Sequence, residues 1–480
     1  MRLADLFPTS HFTPHDAECD VGGLSFDSRT TQKNDVFFAV PGTKGDGRNF
    51  ISDALNAGAC ALVGQDENAA FNVPYVRVAN VRLALAQAAA RFYPAQPSTI
   101  LAVTGTSGKT SVASFVRQIM SECGHQAAAI GTTGVIAPSG RHYGALTTPD
   151  PITLHKICDE LTHDGVTHVA LEASSHGLDQ YRLDGLRISA AAFTNLSHDH
   201  LDYHMDMDDY LNAKLGLFRR LLKEGQTAVI NADDAYSNQV IAACAEAHLH
   251  ILTTGFRGQD LILRSVDMTD QNATMTFDYR GVSYSAHLAL VGDFMIANVM
   301  VAMGLCLSAG EKIEAIVAAL PKLVGAPGRL ERVAMMHHVP IYVDYAHKPD
   351  ALDKVLRTLR ALVKSRLILV FGCGGDRDRA KRGEMGAIAQ SLADVVIVTD
   401  DNPRNEDPAS IRAAICAKAP SALNIGDREQ AIRHALEITR DGDVVLIAGK
   451  GHEEGQIIGS QVLPFSDHNV VRSLVQEMTR

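Results

Sequence analysis

With 480 residues, 46% of them hydrophobic, the chain exceeds what one hydrophobic core serves, so two to four domains are expected. No apolar run nears the roughly 18 residues of a membrane span, and Met1 to Ser10 lacks a basic segment followed by an apolar one, which points to the cytoplasm and away from a membrane. A net charge of −11 without a Lys/Arg-rich block argues against nucleic acid and for small anionic ligands, and eight scattered cysteines without a CxxC pair argue against a disulfide frame or a cysteine zinc site.

Short β-like runs at Asp35 to Val40, Cys60 to Val63 and Tyr75 to Val78, with glycine-rich turns around Pro41 to Gly47, predict a small α/β module. The two prolines of Tyr93-Pro94-Ala95-Gln96-Pro97-Ser98 mark a linker, so a first domain spans 1–97. The apolar run Ile100 to Val103 then leads through Thr104-Gly105-Thr106-Ser107-Gly108-Lys109-Thr110 into a helix-like run, Ser111 to Met120. A glycine-rich turn between buried strand and helix start converges backbone N–H groups on phosphate oxygens, with Lys109 adding charge and Thr110 a hydroxyl for Mg²⁺. The spacing, Gly-x-x-Gly-Lys-Thr, is two residues shorter than the commonest phosphate loop.

Beyond it, strand-like runs (Ala127 to Ile130, Thr167 to Leu171, Ala190 to Phe193) alternate with helical ones such as Ile152 to Thr162, which predicts a mostly parallel sheet covered by helices. A β-rich excursion near Leu261 to Val291 and a helix over Ala297 to Leu307 lead to Pro321 to Gly328, closing a central nucleotide-binding domain at 98–327. The rest, 328–480, repeats the rhythm as a Rossmann-like domain: strands Ile341 to Asp344, Leu367 to Phe371, Val395 to Thr399 and Val444 to Ala448, and helices Pro349 to Leu362 and Ala409 to Lys418. Its Gly372-Cys373-Gly374-Gly375 lacks the full spacing of a dinucleotide motif, which argues against a nicotinamide dehydrogenase.

In open parallel sheets, ligands sit at the carboxyl ends of strands, so polar residues following each apolar run are the candidates. Glu172, after Val169 to Leu171, is the Mg²⁺-ligand candidate, its alternatives a helix N-terminal charge or an ion pair. His198-x-His200-x-Asp202-x-His204 allows three readings: zinc, a structural role, or phosphate and magnesium contact. Lys214 by itself reads as a surface lysine on a helix over Asp208 to Phe218, and Asp401-Asn402-Pro403-Arg404 as a β-turn with Pro403 fixing it.

Taken together, the phosphate loop, Thr147-Thr148-Pro149-Asp150, Glu172 to Leu178, the segment from His200 to Lys214, Gly292 to Asn298, Gly328-Arg329-Leu330-Glu331 and Asp344-Tyr345-Ala346-His347-Lys348-Pro349 resemble the Mur ligase family over nearly the whole chain. The resemblance implies a three-domain α/β fold and ATP-dependent amide ligation through an acyl phosphate, in which cationic clamps dominate. It places Gly105, Thr106, Ser107, Gly108, Lys109, Thr110 and Ser111 around the ATP phosphates, although many relatives carry asparagine where Ser107 stands. Asn298, Arg329 and Asp344 would contact the nucleotide, the last two arriving with the closing third domain. Thr110, Glu172, His200 and Lys214 would surround Mg²⁺, Lys214 as a carbamate, which turns a repelling cation into an anionic oxygen donor.

For a UDP-muramoyl-dipeptide, UDP-N-acetylmuramoyl-L-alanyl-D-glutamate, the resemblance implies Phe26, Ser28, Thr43, Lys44 and Gly45 in the first domain and Thr147, Thr148, Ser174, Gln180 and Arg182 in the second. Ser28 and Gly45 read equally well as turn residues. Asp401 to Arg404 resembles the signature of members that add meso-diaminopimelate. Arg404 would read the far carboxylate as a planar bidentate cation, with Asp401, Asn402, Pro403, Arg377, Gly449 and Glu453 completing the site. A monomer binding only small molecules is expected.

Overall fold

The structure is a computed structural model that describes the chain except residues 43, 44, 68–70, 143, 145, 202, 270, 271 and 480, and the side chains of 141 and 142. Among the described residues there are four sheets, three large and one of two strands. The first is parallel in the order β1 (Gly23–Ser25), β2 (Asp35–Phe38), β3 (Ala61–Gly64), β4 (Tyr75–Arg77). Leu3, Leu6, Val36, Phe38, Val63, Leu85 and Ala89 form its core.

The second sheet contains β5 (Thr99–Thr104), β6 (Ala127–Gly131), β7 (Gly134–Ala137), β8 (Gly140–His142), β9 (His168–Glu172), β10 (Ile188–Phe193), β11 (Thr227–Asn231) and β12 (His250–Gly255). In space they run β12-β11-β10-β5-β9-β6-β7-β8. Pairing is parallel from β12 to β6 and antiparallel at β7 and β8, a mostly parallel sheet as expected. The parallel strands are covered on both faces, so they read as unbroken apolar runs: Ile100, Leu101, Ala102 and Val103 are at most 1% exposed. Burying each large side chain stabilises by about 1.5–3 kcal/mol.

Helix starts are written in the sequence. Asp150 accepts from Thr153 N at 3.0 Å with Pro151 next, and Asp407 caps the helix that Pro408 opens. Both follow the preference for an oxygen-bearing N-cap and proline in the first turn. The helix read as Asp208 to Phe218 is Met207–Gly216, capped by Asp206 and followed by a π turn at Leu217–Leu221.

The chain divides into two compact units, Met1–Ile262 with Met300–Ile316, and Leu263–Val299 with Val317–Arg480. The second holds β14 (Ala273–Tyr279) antiparallel to β15 (Val282–Leu288), after β13 (Leu261–Met268). It also holds the third sheet: β16 (Glu331–Met336), β17 (Val339–Asp344), β18 (Leu367–Phe371), β19 (Val395–Val398), β20 (Leu423–Asn424) and β21 (Val444–Ala448), ordered β16-β17-β21-β18-β19-β20. All but β16 run parallel. A hairpin of β22 (Gly455–Ile458) and β23 (Gln461–Pro464) follows. Because β21 inserts between β17 and β18, the carboxyl ends of β21, β18 and β19 adjoin one another, where a ligand crevice forms in such sheets.

Candidate active site

Chain direction puts the ends of β5, β9, β6 and β10 side by side. From β5 the chain enters Gly105 at φ 146° and leaves Gly108 at φ 87° into the helix Lys109–Glu122. A Cβ on Gly105 would run into Thr194 Oγ1, so both conformation and space require glycine. The end of β10 clasps the loop: Asn195 Oδ1 accepts from Ser107 N at 2.9 Å, and Asn195 Nδ2 and Thr194 Oγ1 donate to the Ser107 carbonyl at 3.1 and 2.7 Å. Thr106 N donates to the Asn195 carbonyl at 2.8 Å. Lys109 Nζ donates to the Gly105 and Thr106 carbonyls at 2.8 and 2.9 Å, and Thr110 and Ser111 lie buried in the first helical turn. Amides opening a helix beside a lysine suit polyphosphate.

Lys214 is not a surface lysine. Its side chain is 1% exposed, its Nζ donates to the Gly105 carbonyl at 2.8 Å, and it sits 4.2 Å from the Tyr210 ring centroid. Burial, and then the nearby Lys109 cation, push its ammonium well below the usual lysine range, against a smaller opposing pull from Asp199. Glu172, paired in register with Val103 just before the loop, is 1% exposed. Thr132 aligns it, donating to the two carboxylate oxygens from N at 2.8 Å and Oγ1 at 3.1 Å. A buried carboxylate held by neutral donors suits a cation, so Glu172 and the Thr110 hydroxyl fit the hard-oxygen demand of Mg²⁺.

His200, at φ 56°, lies edge-on to His176 with ring centroids 5.0 Å apart and 3.5 Å from Asp199. His204 is buried, reaches Asp209 at 3.3 Å and stacks near Tyr210, while His198 is exposed. Among the described residues no three His, Cys, Asp or Glu side chains gather as a metal cluster; Asp202 lies outside them.

The central substrate candidates form one network with Glu172. Thr147 Oγ1 is 3.0 Å from Thr132 Oγ1, Thr148 Oγ1 donates to the Glu172 carbonyl at 2.8 Å, and Ser174 N donates to Thr148 Oγ1 at 3.0 Å. Arg182 donates to the Thr148 carbonyl and to Gln180 Oε1, both at 2.7 Å, and Gln180 Nε2 donates to the Tyr203 hydroxyl at 3.1 Å. A largely apolar cavity of about 320 Å³ opens beside it, lined by Ile130, Gly131, Leu146, Pro149, Asp150 and Ile157 among others. Phe26 and Ser28 follow β1 on the first sheet, Phe26 being 39% exposed, and Gly45 sits in the turn after β2. Thr43 and Lys44 lie outside the described residues. Thr132, Thr194 and Asn195 were not among the expected site residues, though the rule of looking just past each apolar run reaches all three.

In the second unit, Asn298 is buried on the helix Asp293–Ser308 and Asp344 ends β17. Asp344 accepts from Leu330 N at 2.6 Å and Ala346 N at 2.8 Å, yet burial lifts its carboxyl to about 6 against the opposing pull of Arg329. The Arg329 guanidinium lies 4.8 Å from the Tyr345 ring centroid. At the crevice, Arg404, at φ 51°, donates from Nη1 to the Gly375 carbonyl at 2.9 Å. The peptide around it is fixed by β22: Arg404 N donates to the Ile457 carbonyl and Gly459 N to the Arg404 carbonyl. Asn402 Nδ2 donates to Glu453 Oε2 at 2.9 Å, and Asp401, Asn402 and Pro403 are buried. Gly449 has φ 111°, and a Cβ there would stand 2.7 Å from Asp401 Oδ2. Arg377 is exposed on the neighbouring loop. The segment is thus more than a turn. Two charged partnerships had no sequence signal: Arg382 with Glu406 at 2.9 Å, and Arg428 with Asp467 at 2.7 Å, both fully out of solvent in the second case.

Three family models match in order: Mur ligase family, catalytic domain over 20–93; Mur ligase middle domain over 103–306; and Mur ligase, glutamate ligase domain over 328–451. The chain is 53% identical over 460 residues to a UDP-N-acetylmuramoyl-L-alanyl-D-glutamate–2,6-diaminopimelate ligase of Agrobacterium fabrum, covering 96% of this chain and 94% of that one. It is 52% identical to the protein of that name from Bradyrhizobium diazoefficiens, with 98% of each covered. A solved structure of a ligase with that same name superposes with a TM-score of 0.74 at 34% identity, covering 100% of this chain and 99% of the other. The chain belongs to the Mur ligase family.

Proposed function

We propose that this protein is an ATP-dependent amide ligase that adds meso-diaminopimelate to UDP-N-acetylmuramoyl-L-alanyl-D-glutamate in peptidoglycan precursor synthesis. The glutamyl carboxylate attacks the γ-phosphorus of ATP and releases ADP; the diaminopimelate amine then attacks the acyl phosphate, loses a proton and expels phosphate. Negative charge accumulates on phosphoryl and carboxyl oxygens throughout, so cations and oriented amides are the catalytic need.

The observation that carries this reading is the pair of lysines, Lys109 and the buried Lys214, converging on the Gly105 carbonyl at 2.8 Å each. Lys109 and the loop amides would hold the β/γ-phosphates. The depressed ammonium of Lys214 favours the neutral amine, the form that attacks CO₂; the new N–C bond and loss of one proton give a carbamate. Thr110, Glu172, His200 and the Lys214 carbamate would surround Mg²⁺, which neutralises phosphate charge when bound. Asn298, Arg329 and Asp344 are assigned to the nucleotide by the motifs they match. Thr147, Thr148, Ser174, Gln180 and Arg182 would orient the muramoyl-dipeptide, with Phe26, Ser28, Thr43, Lys44 and Gly45 toward the uridine diphosphate. Arg404, Asp401, Asn402, Pro403, Arg377, Gly449 and Glu453 would take the diamine. The proposed domains are 1–97, 98–327 and 328–480, in a monomeric cytoplasmic protein. ADP release with UDP-muramoyl-dipeptide, comparing meso-diaminopimelate with L-lysine, tests this: turnover with the first and little with the second is expected, and no turnover with either overturns it.

A further inference from the structure

Resting on the diaminopimelate reading, we infer that Lys450 is a positioning residue that sets the amide of Asn402 and the carboxylate of Glu453 for the incoming ammonium. Lys450 follows β21 and its side chain is 0% exposed, so its charge is used wholly inside the protein. Its Nζ donates to Asn402 Oδ1 and to Glu453 Oε2, each at 3.1 Å, and lies 3.8 Å from Asp401 Oδ1. An ammonium has three N–H donors, and here two hydrogen bonds and a longer ion pair engage it.

The consequence for Asn402 is orientation. Its Oδ1 receives Lys450 Nζ at 3.1 Å and Ile457 N at 2.9 Å, which turns Nδ2 toward Glu453 Oε2 at 2.9 Å. Without the lysine, Oδ1 keeps only the Ile457 N–H, and neither Asn402 nor Glu453 retains the cation that ties them together, so the pair is held less tightly. The consequence for charge is equally direct. Arg428 and Asp467 neutralise each other through contacts of 2.7 and 2.8 Å. Lys450 is the cation in direct contact with Glu453 Oε2, and both it and Arg428 act on Asp401, whose carboxyl burial pushes above its usual range. Lys450 therefore draws Glu453 and Asp401 toward one ammonium.

Steady-state kinetics of Lys450→Met test the inference. The expected result is a rise of about 10–100-fold in KM for meso-diaminopimelate, with KM for ATP and for the muramoyl-dipeptide within about twofold of the parent. An Asn402→Ala background should shrink the effect of Lys450→Met, because the lysine acts through that amide. An unchanged diaminopimelate KM, or losses spread evenly over all three substrates, overturns the assignment. Should Lys450→Met fail to fold, the charge-balanced Lys450→Met/Glu453→Gln variant is compared with Glu453→Gln alone: a further loss of about 10-fold in kcat/KM for diaminopimelate supports the role through Asn402, and equal values refute it. If the parent protein turns over nothing with diaminopimelate, the functional reading itself falls; if the parent is active and Lys450→Met matches it, only the positioning role falls.

Discussion

Single side chains decide the chemistry. Lys214→Ala removes a group within 2.8 Å of the phosphate-loop carbonyl, and a loss of about 10²-fold or more in kcat is expected. Phosphate-release assays with added bicarbonate or short carboxylic acids should restore part of it, and an unimpaired variant would dispose of the carbamate. Arg404→Ala leaves a far carboxylate without its bidentate partner, which costs about 2–5 kcal/mol and should erase roughly 30-fold to several thousand-fold discrimination against L-lysine. Calorimetric ATP binding should be unaltered, since Arg404 lies among the acceptor residues beside Gly375. The burial of Lys214 was hidden in the sequence for a physical reason: it depends on a carbonyl 109 residues away, and its own helix, Met207–Gly216, mixes charged and apolar positions. For Arg404 the residues alone gave only a turn after a strand end, and its assignment to the acceptor came from the resemblance.

At the level of elements, the end of β17 and the turn after it carry two half-buried groups with opposite pH behaviour. Asp344, lifted to about 6 by burial from 3.8, gives a contribution to stability that is present below about pH 4 and lost as pH rises through 6. His347, pushed down to about 3 by burial from 6.5, gives one that is present above about pH 6.5 and lost as pH falls through 3. Between pH 4 and 6 the slopes oppose, each at most about 1.4 kcal/mol per pH unit. Asp344→Asn leaves the histidine slope alone, so the variant's Tm relative to the parent should rise from pH 4.5 to 6.5; a constant difference in scanning calorimetry would contradict this. Parallel strands were legible because burial on both faces leaves uninterrupted apolar runs such as Leu367–Phe371. The helices Ala380–Leu392, Arg428–Glu437 and Asp467–Met478 each place one charged residue, Arg382, Arg428 or Asp467, at a buried position whose partner comes from a separate segment, which the sequence alone does not show.

For the molecule as a whole, order along the chain told more than any one motif, since strand-end residues from distant segments adjoin only after the sheets form. The cysteines give a global readout. All eight are free, and Cys158, Cys244, Cys306 and Cys373 are buried. Burial holds the thiols of Cys158 and Cys244 near 12 and that of Cys373 near 11. A thiol reagent at pH 8 should therefore label at most Cys19, Cys60, Cys123 and Cys416 slowly in the native protein, and all eight after denaturation. Rapid native labelling of more than four would show that the sheets open readily. The clasp of Asn195 on Ser107 has a thermodynamic corollary. The coil-to-loop entropy is surrendered while the polypeptide folds, so an arriving triphosphate meets a loop already shaped and should dock with little heat-capacity change from ordering it.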